Sequence, residues 1–154
     1  MEKPYTIVEG LAAAAGRNRG AIAVEVCLVL VSLAYLGMLG TFLNSVNNGA
    51  PSSESDLTFA IAVMSFGNGA AWRYLAAGVG LILSSTLPIG MAAFRLKLDY
   101  GDGANVIGGI VLIALMLCVN MLLANAIVTT LAMPILWAAL LVTLSAVAAC
   151  CISS

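Results

Sequence analysis

The amino-acid sequence predicts an all-α membrane protein with four transmembrane helices. The chain has 62% hydrophobic and only 8% charged residues over 154 positions, whereas a soluble domain is about one half apolar and about one quarter charged. A water-soluble core of this size cannot bury so much apolar surface. The lengths of the apolar stretches and the uneven distribution of the cationic residues are two further observations that predict this fold class.

Four apolar stretches approach the roughly 20 residues that a helix needs to cross about 30 Å of hydrocarbon. The first is interrupted only by Glu25, and the second is followed by Arg95 and Lys97. The last two come from one long tract, in which Thr129 and Pro134 mark the expected turn. The predicted spans are residues 21–43, 75–94, 106–128 and 131–152.

The segments outside the spans have their own patterns. Residues 1–20 contain a T-x-x-E capping spacing that begins at Thr6, which predicts a short interfacial helix on the membrane surface. In the loop of residues 44–74, the part 44–56 is rich in Asn, Ser, Gly and Pro and is expected to be coil. Residues 57–66 are apolar but too short to cross, so they are expected to form an interfacial or re-entrant segment on the outer face.

The cationic residues indicate the orientation of the chain. In a four-span topology, residues 1–20 and the loop 95–105 share one side of the membrane and carry all but one of the six Lys and Arg residues. The opposite loop, 44–74, carries only Arg73. Because Lys and Arg concentrate in cytoplasmic loops, both termini are predicted to be cytoplasmic.

The residue types present exclude most kinds of catalytic and metal chemistry. The chain contains no histidine, which removes the commonest general base and metal ligand. Its four cysteines form no CxxC pair, and Asp99 and Asp102 lack the further oxygen ligands of a calcium loop. The scattered cations make no surface for sequence-specific nucleic-acid binding. We therefore expect a non-enzymatic protein without a cofactor or a metal.

Small residues at helical spacing predict surfaces for helix packing. Lipid gives helices no apolar drive to associate, so small side chains that permit close approach, and buried amides, hold them together. Asn120 and Asn125 are expected to form interhelical hydrogen bonds, with a polar pathway as the alternative. The predicted helix-packing residues are Gly37, Gly40, Ala76, Gly80, Ser84, Gly108, Gly109 and Asn120.

Glu25 is the acidic residue inside a predicted span. A carboxylate at the centre of the membrane costs about 2.5–3.5 kcal/mol on insertion scales. One interpretation is a proton- or cation-coupling carboxylate, as in small multidrug transporters, which are also short four-helix proteins with a glutamate in the first helix. The other interpretation is an interfacial acid that pairs with Arg17 or Arg19.

The run RNRGAIAVEVCLVLVSL resembles the processing site of type IV prepilins and TadE-like pseudopilins. It has basic residues, then Gly20, then Glu25 at the head of a hydrophobic stretch. The resemblance implies cleavage after Gly20, and pairing of the glutamate with the new N-terminus of a neighbouring subunit during assembly. This chain departs from those families because it continues into three further spans instead of a water-soluble domain.

The whole architecture resembles the small polytopic inner-membrane proteins and pilins of type IV secretion and conjugation systems, which are hydrophobic, Ala/Gly-rich subunits with a basic cytoplasmic loop, here Arg95 and Lys97. The resemblance implies a structural subunit that oligomerises through transmembrane helices, in the bacterial inner membrane or in an extracellular filament. The alternative function is a small proton- or cation-coupled transporter or channel that uses Glu25. Expected partners are the lipid bilayer, a homo-oligomer or larger membrane assembly, and a bound phospholipid.

Overall fold

The computed structural model describes residues 7–49, 56–98, 103–131, 135 and 137–152, and over these ranges the chain is almost entirely helical, with no strand. The all-α prediction is confirmed for this part of the chain. The helices are α1 (Ile7–Arg17), α2 (Arg19–Gly49), α3 (Asp56–Ser84), α4 (Thr86–Leu98), α5 (Gly103–Leu131) and α6 (Trp137–Ile152).

Within the described ranges, three stretches are long and apolar enough to cross a membrane, namely Arg19–Gly49, Ala60–Leu98 and Val106–Leu131. At a rise of about 1.5 Å per residue, each of them exceeds the thickness of about 30 Å of hydrocarbon. A shorter apolar stretch, Trp137–Val147, lies in α6. The structure thus contains three helices that could span a membrane, and the fourth span stays a prediction.

The first part of α3 is separated from the rest by a short non-helical run. Phe66 is extended, with φ −58° and ψ 135°, and Gly67, Asn68 and Gly69 follow with φ values of 60°, 57° and 75°. Glycine adopts this left-handed region without a steric penalty, and asparagine tolerates it better than most residues. The Gly-Asn-Gly sequence therefore permits the chain to change direction between two apolar helices.

The structure corrects the coil that was predicted for residues 44–49, because α2 continues to Gly49. Ser45 Oγ donates to the Thr41 carbonyl at 3.0 Å, so this polar side chain is satisfied inside the helix. Val46 is buried, with 1% of its side chain exposed. Burial of an apolar residue outweighs the weak helix propensity of the surrounding Asn, Ser and Gly residues.

Contacts divide the chain into two units, of which the first comprises Met1–Ser32 and Leu81–Ala124. In this unit α1 lies directly against α5: a Cβ atom added at Gly108 would overlap the backbone carbonyl of Gly10. A Cβ atom at Gly109 would lie 2.7 Å from Leu96 Cδ1. The core of the unit consists of Ala21, Ala92, Leu112 and Met116, with Leu11, Ile22, Ile89 and Ile113 packed against it.

The second unit comprises Leu33–Gly80 and Asn125–Ser154. Tyr35 Oη donates a hydrogen bond to the Tyr74 carbonyl at 2.7 Å. A Cβ atom added at Gly78 would lie 2.7 Å from the same hydroxyl oxygen, so glycine is required for this close approach. Other side chains buried in this unit are Leu39, Val46, Val63, Ile127, Leu131 and Ile135.

Candidate functional site

Glu25 lies in the second turn of α2 and is buried, with 8% of its surface exposed. Its hydrogen-bond donor is Asn120 of α5, whose Nδ2 lies 3.2 Å from Glu25 Oε2. The structure therefore corrects the suggestion that Arg17 or Arg19 pairs with this carboxyl group, because an uncharged amide occupies that position. Asn120 is also buried, at 6% exposed.

The same amide contacts the junction between α3 and α4. Asn120 Nδ2 donates a second hydrogen bond to the carbonyl oxygen of Ser85 at 3.1 Å. Ser85 is the single turn residue between the two helices, and Pro88 follows it in the first turn of α4. Because proline has no N–H group, it cannot complete the helical hydrogen bond to the carbonyl of Ser84.

Hydroxyl groups stabilise this junction from within. Ser85 Oγ donates to the Ile82 carbonyl at 2.7 Å, and Thr86 Oγ1 donates to the Leu83 carbonyl at 2.8 Å. Such bonds to carbonyls in the preceding turn satisfy the hydroxyl groups and bend helices. Pro88 is fully buried, so the break is held in the packed part of the unit.

Two buried oxygen atoms of this centre, Glu25 Oε1 and Asn120 Oδ1, have no hydrogen-bond partner among the residues that the structure describes. A buried polar atom that remains without a donor costs about 1–3 kcal/mol, so native structures rarely leave such atoms unsatisfied. A proton on the carboxyl group, or a bound cation, would satisfy acceptors of this kind. Glu25, Asn120 and the Ser85 carbonyl therefore form a polar centre in which two acceptor oxygens lack a donor.

The predicted helix-packing residues lie in two different environments. Gly108 and Gly109 are buried and sit at close approaches between segments of the first unit. Four others are exposed on the chain surface: Gly37, Gly40, Ala76 and Gly80. A Cβ atom at any of these three glycines would meet nothing within 4 Å. Ser84 is half-buried.

The remaining sequence-predicted residues do not join the centre around Glu25. Arg95 and Lys97 are exposed in the last turn of α4, and Asn125 is exposed on α5. Thr6, whose capping spacing suggested the N-terminal helix, lies outside the described residues. Between described residues, Asn120 makes the interhelical hydrogen bonds that were expected of the two amides, and Asn125 makes none.

Sequence reasoning missed two residues that the structure singles out. Gly78 lies against Tyr35, and Asn18 is buried at the junction of α1 and α2. In a sequence, a single asparagine within a helical pattern does not by itself indicate a junction between two helices. Its position directly after Arg17 and before Arg19 was the available signal, because a polar residue between two cations can contribute to an anion site.

Over the described residues, no three His, Cys, Asp or Glu side chains come together in a way that could hold a metal ion. The buried centre around Glu25 is therefore the strongest candidate site. Comparisons of this chain with protein-family models, with curated proteins and with solved structures found no match.

Proposed function

We propose that this protein is a small ion-coupled membrane transporter or channel in which Glu25 takes up and releases a proton or a monovalent cation. The observation that carries the proposal is the pair of buried oxygens, Glu25 Oε1 and Asn120 Oδ1, that no donor in the described part of the chain satisfies. As a purely structural contact, this pair would be costly. A proton or a cation bound at these acceptors would remove that cost.

The neutral partner of the carboxyl group supports the same function. Asn120 is neutral, so the hydrogen bond that it donates to Glu25 brings no positive charge to the carboxyl group. Ionisable residues inside membranes are expensive, and they mark proton and ion pathways for that reason. A proton removes the charge and a cation balances it. Both ligands are exchangeable, which is the property that coupling requires.

The helix break at Ser85 is a second feature that supports ion coupling. Secondary transporters hold their ions beside interrupted helices, whose carbonyl groups are not all used within the helix. Here Asn120 donates both to Glu25 and to Ser85, at 3.2 Å and 3.1 Å. A change in the occupancy of the carboxyl group therefore alters a hydrogen bond to the helix break.

In this proposal the chain crosses the membrane four times, with α6 as the last span and both termini in the cytoplasm. The distribution of Lys and Arg supports that orientation, since residues 44–74 carry only Arg73. The membrane is the bacterial inner membrane, in keeping with the resemblance to small polytopic inner-membrane proteins.

The test is ion flux through the purified protein in proteoliposomes. We expect a proton, sodium or potassium gradient to drive flux in the unaltered protein, and Glu25→Gln to abolish it while the protein stays folded. Glutamine has nearly the same shape but cannot exchange a proton or balance a cation. Glu9→Gln is the matched control, because Glu9 lies on the exposed part of α1, and it should retain the flux.

Two outcomes would overturn this function. One is the absence of flux for all three ions in the unaltered protein, reconstituted as a folded, helical species. The other is flux that is equal in the unaltered protein and in Glu25→Gln. In either case the buried carboxyl group would be a structural feature of the packed helices.

A second candidate function is a structural subunit of a type IV secretion, conjugation or pilus-type assembly. The observation that favours it is the exposure of Gly37, Gly40, Ala76 and Gly80 on the chain surface, with open space around the three glycines. Close approach of another helix at such residues is the usual mode of association in lipid. In that case the glycines would face a second copy or another component.

Particle mass in mild detergent distinguishes this second function. A subunit of an assembly should run as a large homo- or hetero-oligomer, or should be recovered in sheared extracellular filaments. Gly40→Ile should reduce the particle mass without unfolding the chain, because Gly40 has open space within its own chain. A monomer or dimer under all conditions would exclude the assembly.

A further inference from the structure

The buried face of α2 carries a second polar side chain beyond Glu25. Ser32 lies two helical turns further along, and residues at this spacing stay within about 20° of one face of a helix. Ser32 is 5% exposed and Glu25 is 8% exposed, and both belong to the first unit. The half-buried Leu28 lies between them on the same face. Two polar groups therefore follow one another along the inner side of an apolar helix.

The hydroxyl group of Ser32 is not used within the helix. Thr41 Oγ1 and Ser45 Oγ, which are also on α2, donate to the carbonyls of Met38 and Thr41 at 2.7 Å and 3.0 Å. Such bonds to the preceding turn are a common way for a helix to satisfy a hydroxyl group. Ser32 makes no hydrogen bond to any residue that the structure describes. Its donor and its acceptor sites therefore stay available for a ligand.

A water-sized molecule can touch this hydroxyl group. Among the described residues, the fully enclosed side-chain oxygens without a partner belong to Asn18, Glu25 and Asn120. Ser32 Oγ also lacks a partner but is not one of the enclosed atoms, so the 5% of Ser32 that stays accessible includes this oxygen. The accessible surface at Ser32 thus reaches a polar group in an otherwise buried residue.

The depth of Ser32 matches the distance that an ion has to travel. At about 1.5 Å per residue, Glu25 lies about 9 Å and Ser32 about 20 Å beyond Arg19, the first residue of α2. With Arg19 at the cytoplasmic interface, an ion at Glu25 still has about 20 Å of the roughly 30 Å of hydrocarbon ahead of it. Ser32 lies about halfway along that remaining distance. Polar side chains at such a depth mark ion pathways.

We propose that the ion taken up by Glu25 crosses the rest of the membrane along this face of α2, and that the Ser32 hydroxyl group is the next group to bind it. This inference rests on the ion coupling proposed for Glu25. A hydroxyl group can both donate and accept, so its oxygen binds a hydrated proton or a cation equally well. The competing explanation is a small side chain that only permits close helix packing.

Cysteine accessibility tests whether water enters at Ser32. The full-length chain without its native cysteines is reconstituted into proteoliposomes, and Ser32→Cys is compared with Leu33→Cys. Leu33 is 55% exposed, so exposure on the chain alone would make Leu33→Cys the more reactive variant. We expect a small cationic methanethiosulfonate reagent to modify Ser32→Cys about tenfold faster, because only a thiol in contact with water ionises and reacts readily. Intact mass measures the rate.

Ser32→Ala tests whether the ion uses the hydroxyl group. Alanine preserves the small size of the side chain, so the packing of the helices is retained. We expect the maximum ion flux in proteoliposomes to fall about tenfold, the loss expected for one hydrogen bond to a charged ligand. The ion concentration that gives half-maximal flux should stay unchanged, because Glu25 still binds the ion. A role in packing alone would not separate these two quantities.

Ser45→Ala is the matched control on the same helix. Ser45 is exposed and its hydroxyl group is already bonded to the Thr41 carbonyl, so this variant should retain the flux. Equal flux in Ser32→Ala and the unaltered protein, or labelling of Ser32→Cys no faster than that of Leu33→Cys, would overturn the path past Ser32 and leave Glu25 as the coupling residue. The absence of flux in the unaltered protein would overturn both.

Discussion

The Nδ2 atom of Asn120 donates a hydrogen bond to Oε2 of Glu25 over 3.2 Å, joining two residues that are 95 positions apart in the chain. Both side chains are buried, and each retains one oxygen without a donor. The contact is thus strong enough to orient the carboxyl group but does not complete its hydrogen bonding. This half-satisfied pair is the basis of the ion coupling proposed for Glu25.

Asn120→Leu should destabilise the protein by about 1–3 kcal/mol, because it leaves the buried Glu25 carboxyl group without any donor. The double variant Glu25→Leu, Asn120→Leu should recover much of that loss, since replacing both partners by apolar groups is close to neutral. The free energy of unfolding in detergent measures both changes.

Asn125→Leu is the matched control for the first prediction, because Asn125 is an exposed amide on the same helix. We expect it to change stability by less than about 0.5 kcal/mol, as exposed substitutions usually do. A double variant that is less stable than Asn120→Leu alone would contradict the pairing energy argued here.

Gly78→Ala should destabilise the protein by about 1–3 kcal/mol, the usual range for overpacking. The new Cβ atom would lie 2.7 Å from Tyr35 Oη and 2.8 Å from Leu131 Cδ1. The tyrosine cannot withdraw freely, because its hydroxyl group donates to the Tyr74 carbonyl. Thermal denaturation in detergent, followed by the loss of helical circular dichroism, measures the effect.

Gly80→Ala, two residues further along α3, is the control for Gly78→Ala. Gly80 is exposed and a Cβ atom there meets nothing within 4 Å. Alanine is also favoured over glycine inside a helix by up to about 1 kcal/mol. The Gly80 variant should therefore be as stable as the unaltered protein or more so, and equal destabilisation of both variants would refute the close contact at Gly78.

The helical architecture could be predicted from composition, but the packing of individual small residues could not. Gly80 and Gly78 are indistinguishable in the sequence, yet one is exposed and the other touches Tyr35. Small residues at intervals of four drift by about 40° per step around a helix with 3.6 residues per turn. Such spacing alone therefore does not show which small residues face the core: Ala76 and Gly80 are exposed, whereas Gly108 and Gly109 are buried.

The candidate site was predictable only in part for a related reason. Glu25 was recognisable because a carboxylate inside an apolar stretch is expensive. The sequence did not identify the partner of Glu25, because two nearby arginines and two distant asparagines were all candidates. Separation along the chain does not show which of them lies close in space. The burial of Asn18 could not be predicted, because it depends on the positions of the helices around it.

Gly108→Ala should release α1 from α5. The added Cβ atom would overlap the backbone carbonyl of Gly10, and backbone cannot move aside as a flexible side chain can. We expect faster tryptic cleavage after Arg17, because the displaced helix exposes its backbone to the protease. Gly90→Ala, on α4, is the control with nothing within 4 Å, and its cleavage rate should match that of the unaltered protein.

The last helix decides the number of spans. Helix α6 has 16 residues, which at about 1.5 Å per residue is about 24 Å, less than the roughly 30 Å of hydrocarbon. Its polar groups are nevertheless satisfied internally: Thr143 Oγ1 donates to the Ala139 carbonyl at 2.9 Å, and Ser145 Oγ to the Val142 carbonyl at 2.8 Å. These bonds satisfy both hydroxyl groups within the helix, which lowers the cost of placing them in lipid.

Single cysteines introduced into a chain without its native cysteines test this topology. In a four-span protein, Ser154→Cys and Lys97→Cys react with a membrane-impermeant maleimide from the same side, and Arg73→Cys reacts from the other. In a three-span protein, Ser154→Cys changes sides and labels together with Arg73→Cys. We expect the first pattern in sealed inside-out vesicles, with positions 97 and 154 labelled and position 73 protected, because Lys and Arg concentrate on the cytoplasmic side.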